Sequence, residues 1–299
     1  MFQKSRRSLI IPFLLPQTVL YIIFTLIPLG LTVLYSMTDW HGPTLKFNFV
    51  GLHQFRIIPI DTSFLNAVQN NFYFMLVGGL LMLIPAMIIA WALHEPIRFK
   101  PIFRFIVLAP TVLAASVVGL MWKWMYNPSF GLFNPLLKAI GLEKFAIAWL
   151  GEPDTALTAV IIAMVWYKLG LWVMLLTAGL ERIPEEMLDA AKIDGAGEWM
   201  LLFKITLPLM WETLRVVLIL WIVLGLQEFT IIYVMTGPTT FTVGGPLGST
   251  ELMATYVFKN AFSTFNWAYA MSMAVIMLIM IFVLSGFSNR LTQRETIEY

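Results

Sequence analysis

Six stretches of this chain run for more than twenty residues with little charge, at about 9–37, 67–93, 103–125, 156–180, 209–235 and 264–287. A helix needs roughly 20 apolar residues to cross the hydrocarbon core of a bilayer. Lipid offers no partner to a free N–H or C=O, so segments of this kind span as helices. The chain is therefore expected to be all-α, a polytopic bundle of about six transmembrane helices. Composition agrees, with 59% hydrophobic and only 12% charged residues against roughly 25% charged in soluble domains. Six spans joined by short connections use most of the 299 residues, so residues 1–299 are read as a single membrane domain.

Lys4, Arg6 and Arg7 ahead of an apolar run resemble the start of a signal peptide. The uncharged stretch from Ser8 to Thr38 exceeds the roughly 7–15 residues of a signal core, and no small-x-small cleavage site follows, so it is read as a retained first helix. Six crossings put both termini on one side. Lys4, Arg6, Arg7, Arg98, Lys100, Arg104, Arg182, Lys192, Lys204, Arg215, Arg290 and Arg294 fall on one face, twelve of the nineteen Lys and Arg. The positive-inside rule makes that face, with both termini, cytoplasmic. The opposite segments, Asp39 to Asn66, Tyr126 to Thr155 and Thr236 to Ser263, carry turn residues such as Asn127-Pro128 and Gly244-Gly245-Pro246. Trp40, Trp122, Trp124, Trp149 and Trp267 stand near their ends as membrane anchors. Pro16, Pro28, Pro85, Pro110 and Gly78-Gly79 are places for kinks or close packing.

Several chemistries are absent from the sequence. There is no cysteine, and no Gly-x4-Gly-Lys-Ser/Thr loop to hold a nucleotide. His41, His53 and His94 lack metal-ligand spacing, and a net charge of +2 gives no reason to expect a nucleic-acid partner. Intramembrane polar groups are a better lead, because an unpaired charge at that depth costs on the order of 2.5 kcal/mol or more. Lys168 lies mid-way along the fourth span and Glu228, beside Gln227, in the outer half of the fifth. Two readings stand: these groups line a solute path, or they form a structural ion pair. Asn70, Asn71, Tyr73 and Trp172 complete a set able to hydrogen-bond a sugar or stack on it.

The longest charged segment of the cytoplasmic face is 181–208, between spans four and five. Pro184 suits a helix start, Glu185 and Glu186 complement the helix dipole, and Gly195 suits a left-handed stop. A short helix, a turn at Asp194-Gly195 and a second helical stretch into the fifth span are expected. Ala190 and Ala191 with Ile183, Met187 and Leu188 suit either a helix laid in a partner's groove or one lying on lipid.

Asp189-Ala-Ala-x-x-Asp-Gly, then nine residues, then Ile205-x-Leu-Pro208, resembles the EAA loop of ABC-type import permeases, with Asp189 where Glu is usual. Ile183-Pro184 before it and Phe203 within it resemble the carbohydrate branch, the maltose- and glycerol-phosphate-type permeases. Leu15-Pro16, Phe49 to Phe55, Phe103-Arg104, Val165-Trp166 and Thr236-Gly-Pro238 extend the likeness along the chain. The resemblance implies a permease subunit, not an enzyme, of a bacterial or archaeal inner-membrane importer for a sugar or sugar derivative. It implies that Glu186, Asp189, Ala190, Ala191, Asp194, Gly195 and Ala196 contact an ATPase subunit. It further implies a second homologous permease, two ATPase subunits holding ATP and Mg, and an extracytoplasmic solute-binding protein. This chain itself needs no cofactor. An ion-driven secondary transporter and an importer of a non-sugar solute are the alternatives.

Overall fold

The computed structural model describes residues 2–42, 46–95, 97–237 and 244–293. Pro238 and Arg294 lie outside them, and for Lys4, Arg6 and Arg7 only the backbone is described. Among the described residues every regular element is helical, apart from one isolated antiparallel bridge between Thr38 and Phe49. The chain divides into two compact units, Met1–Asp61 with Val257–Leu278, and Thr62–Tyr256 with Ile279–Tyr299.

In the first unit α1 (Phe2–Tyr21) passes through a π turn at Ile22–Leu26 into α2 (Ile27–Tyr35). Pro28, in the first turn of α2, cannot donate to the ladder, and the π turn absorbs the misfit without ending the span. None of Pro12–Tyr35 is buried within the chain, as suits a helix whose apolar surface is covered by lipid or another subunit. Beyond it Asp39 accepts from the Asn48 backbone N–H (2.5 Å) and side-chain amide (3.0 Å), which closes the loop before α3 (His53–Ile57). Trp40 packs on Trp267 at 5.0 Å between ring centroids, and the Tyr269 hydroxyl donates to Asp61 at 2.5 Å.

The second unit is built on α4 (Thr62–His94). After it come α5 (Lys100–Val112) and α6 (Ala115–Met125), then the short α7 (Phe133–Ala139) and the long α8 (Pro153–Leu180). The 181–208 segment carries α9 (Glu185–Ile193), α10 (Glu198–Met200), a π turn at Leu201–Thr206 and α11 (Leu207–Leu209). α12 (Trp211–Leu226) and α13 (Thr230–Thr236) follow, and α14 (Met253–Phe262) and α15 (Trp267–Thr292) contribute to both units. α4, α5 and α12 all pack on α8, and α13 packs on α6.

Among the described residues four helices are long and apolar enough to cross a membrane, and six crossings result when each of two bent pairs is one span. The expected third span, 103–125, is α5 and α6 meeting at 93°, and the expected fifth begins at a 74° bend between Glu198–Leu209 and α12. The first break has a local physical account. Leu113 and Ala114 are extended, and the Leu113 carbonyl this releases accepts the Tyr167 hydroxyl at 3.1 Å. Thr111 Oγ1 donates to the Tyr167 carbonyl at 3.0 Å, so α8 holds both sides of the bend.

Packing inside this unit uses small residues, as expected where lipid removes the hydrophobic drive between helices. A Cβ on Gly170 would stand 2.4 Å from the Val107 carbonyl oxygen, so α5 and α8 meet backbone to backbone. Gly78 and Gly79 make room for Trp221, whose indole N–H donates to the Met75 carbonyl at 2.9 Å and whose ring stacks on Phe74.

Candidate functional site

The 181–208 segment follows the local rules in its sequence. Pro184 is the extended residue before α9, Glu185 and Glu186 fill the first turn, and Lys192 fills the last. Gly195 takes the left-handed conformation (φ +87°) that ends the helix, a conformation L side chains rarely adopt. Ile183 and Leu188 are buried and seat α9 on the rest of the chain. Glu185, Leu188, Asp189 and Lys192, one helical face, line a cavity of about 480 Å³ together with Trp91, His94, Glu95 and Lys100. Glu186 and Ala190 are exposed elsewhere on α9 and Asp194 just past its end, with Ile193 86% exposed and open space where a Cβ on Gly195 would stand. Ala191 and Ala196 are half-buried. Past the turn Trp199 and Phe203 stack on one another at 5.9 Å, both exposed, while Leu201 and Leu202 are buried.

A second polar constellation lies at the elbow between α12 and α13. α12 ends at Leu226, and Gln227, Glu228 and Phe229 leave the helical path before α13 begins. Lys168 of α8 pairs with Glu228, whose side chain is 8% exposed against 23% for the lysine. Asn71, wholly buried on α4, donates to the Gly225 carbonyl (3.3 Å) and accepts the Met253 N–H (2.8 Å). Asn70 donates to the carbonyls of Gly248 (3.1 Å) and Glu251 (3.0 Å). The two asparagines thus bind backbone groups that the elbow and the turn before α14 leave free. Gln227 is exposed between these anchors. Tyr73 is exposed and shares a hydrogen bond with Thr158 at 3.0 Å. Trp172 is fully enclosed, edge-on to Trp221 at 5.8 Å.

The sequence marks the elbow only by its two polar residues, Gln227 and Glu228, and does not reveal that the backbone leaves the helical path there. Gly225, Asn66, whose amide reaches the Gly248 carbonyl at 3.0 Å, and Trp221 are parts of this framework that sequence reading passes over. No group of three or more His, Asp or Glu able to hold a metal occurs among the described residues.

Residues 87–297 match the family model described as the binding-protein-dependent transport system inner membrane component. The chain belongs to that family. This permease is 33% identical over 301 residues to the diacetylchitobiose uptake system permease protein of Streptomyces coelicolor, covering 96% of this chain and 84% of the relative. It is 30% identical over 284 residues to the multiple sugar-binding transport system permease protein of Streptococcus mutans, covering 94% of each. A solved structure of a bacterial alginate ABC transporter in complex with alginate pentasaccharide-bound periplasmic protein contains a chain with the same fold, at a TM-score of 0.82 and 21% identity over 98% of this chain and 96% of that one. The permease is a multi-pass membrane transport subunit and not an enzyme.

Proposed function

We propose that this permease is half of the translocation path of an ATP-driven importer for a saccharide or saccharide derivative, working with a solute-binding protein outside the bacterial or archaeal inner membrane. The saccharide assignment rests on relatives named for diacetylchitobiose and multiple sugars. A second, homologous permease completes the path, and two ATPase subunits supply the energy, with ATP and Mg held by them and not by this chain.

The observation that carries the reading is α9: a short helix seated by buried Ile183 and Leu188, stopped at Gly195 and exposing Glu186, Ala190, Ile193 and Asp194. Those residues, with Asp189, Ala191, Gly195 and Ala196 at the rim and turn, form the proposed ATPase contact. Movement of that subunit reaches the membrane through the π turn and α11, which lead directly into α12. At the other end of α12 the proposed solute path is lined by exposed Gln227 and Tyr73 and by the Lys168–Glu228 pair. Asn70, Asn71 and Trp172 border the same path and hold its wall in place.

The test is purification of the chain with its neighbouring subunits, followed by uptake of labelled oligosaccharide into proteoliposomes loaded with ATP. Uptake is expected to need the ATPase and the binding protein. Gly195→Val is expected to leave the ATPase bound while separating hydrolysis from uptake. Transport by the isolated chain would refute the proposal.

A further inference from the structure

α12 starts at Trp211, directly after the 74° bend, and two side chains near its start reach α15. The Trp211 indole N–H donates to the Thr292 carbonyl at 2.6 Å, and Arg215 Nε donates to Asn289 Oδ1 at 2.9 Å. Four residues apart on α12 and three apart on α15, these groups join one face of each helix. Asn289 and Thr292 belong to the last turn of α15, where carbonyls have no partner within the helix and the helix dipole favours a cation. Trp211 satisfies one of those carbonyls, and Arg215 supplies the cation. Thr213, on the opposite side of α12, meets α8 instead: a Cβ on Gly179 would stand 2.6 Å from its Cγ2. The base of α12 is thus packed against α8 on one side and hydrogen-bonded to α15 on the other.

The 181–208 segment runs straight into this base. Only Met210, which is buried, separates α11 from Trp211. The Met210 N–H donates to the Thr206 carbonyl at 2.8 Å, and the Leu214 N–H donates to the Met210 carbonyl at 3.0 Å, so hydrogen bonding continues through the bend. A displacement of the π turn therefore carries the first turn of α12 with it. α15 is a single 26-residue helix without proline, about 39 Å long at 1.5 Å per residue. Unlike the two bent pairs, it has no break in which a pull on its end could be absorbed.

We propose that Trp211 and Arg215 are positioning residues of the transport cycle, delivering the ATPase-driven movement of the 181–208 segment to α15 as well as to α12. The cytoplasmic ends of the two spans then shift as one body. The proposal rests on the reading of α9 as the ATPase contact. Hydrogen bonds suit this task because they fix both distance and direction, which apolar contacts between sliding helices do not.

The test uses the assembled transporter in proteoliposomes, with uptake and ATP hydrolysis measured together. Trp211→Phe keeps the ring without the N–H, and Arg215→Met keeps the stem without the charge. Combined, they are expected to lower uptake per ATP hydrolysed about tenfold, the scale of one hydrogen bond to a charged group, while the ATPase stays bound. Arg215→Lys is expected to keep most of the wild-type ratio. The chain has no cysteine, so Arg215→Cys with Asn289→Cys gives one thiol pair in it. Bridging that pair with a short bifunctional methanethiosulfonate is expected to restore the ratio lost in the unbridged variant, and reduction to remove it again. Uptake blocked by the bridge means that the two ends must separate, and overturns the proposal. Uptake and hydrolysis falling in step in the Phe and Met variants, with the ratio unchanged, mark a purely structural contact and overturn it as well. Either result leaves the reading of α9 intact provided that wild-type uptake needs the ATPase; wild-type uptake without the ATPase overturns both.

Discussion

Lys168 and Glu228 join α8 to the elbow after α12, and both are largely withdrawn from solvent. Removing one partner of such a pair strands the other, which costs about 3–5 kcal/mol, while removing both charges together is often close to neutral. Lys168→Met and Glu228→Gln are each expected to lower the Tm of the purified complex and to reduce uptake, and the double variant is expected to recover most of the lost Tm. A double variant no more stable than the worse single one would argue against pairing. If the pair also lines the path, uptake by the double variant stays low while its Tm recovers. Asp39 gives a second expectation at this scale. The Asn48 backbone N–H, aided by the Asn48 amide, holds its carboxyl below the ordinary aspartate value. Because the folded pKa is the lower one, the stabilisation is present above about pH 3.9 and is lost as pH falls through the lowered value. An NMR titration should place Asp39 below a reference aspartate, and Asn48→Ala should raise it. A wild-type midpoint at or above the reference value would contradict that bonding.

Individual elements differ in how far their own sequence specifies them. α9 is specified locally: Pro184, the paired glutamates and Gly195 all lie within one or two turns of it, so its start and stop could be read from residues alone. The breaks in the third and fifth spans could not. Hydropathy stays high across Val112-Leu113-Ala114, Gln227 and Glu228 mark a polar spot after Leu226 without specifying a break, and the groups that satisfy the freed backbone are distant, Tyr167 lying 54 residues from Leu113 and Asn71 lying 154 from Gly225. Residue types able to serve a solute path were legible for the same reason that their partners were not: Asn70, Asn71 and Lys168 are polar in apolar runs, but which carbonyl or carboxylate each meets depends on helix packing. The two faces of α9 make a separable prediction. Ile193→Glu changes an 86% exposed side chain and is expected to leave Tm unchanged while reducing recovery of the ATPase with the permease. Leu188→Glu buries a charge under the helix and is expected to lower Tm as well. Equal effects on Tm would mean that α9 is not seated as described.

The whole molecule poses a question of topology, because its bent pairs allow two counts. If α5–α6 and the Glu198–Leu226 pair each cross, there are six spans; if each turns back, there are four, and both counts return the C-terminus to the side of the N-terminus. The internal loops differ, however. With six spans the 126–152 segment lies opposite the termini and the 181–197 segment lies beside them; with four, the two exchange sides. Arg182, Lys192 and Lys204 favour six, since four would carry them across to the side that basic residues avoid. The absence of cysteine makes the choice directly measurable, because a single introduced thiol has no background. Glu143 and Glu198 are both exposed, the first inside the 126–152 segment and the second at the end of the 181–197 segment where the bent pair begins. In intact cells a membrane-impermeant maleimide is expected to label Glu143→Cys, and to label Glu198→Cys only after permeabilisation. The reverse pattern would leave four spans, put α9 on the side away from any cytoplasmic ATPase, and remove the coupling role proposed for it.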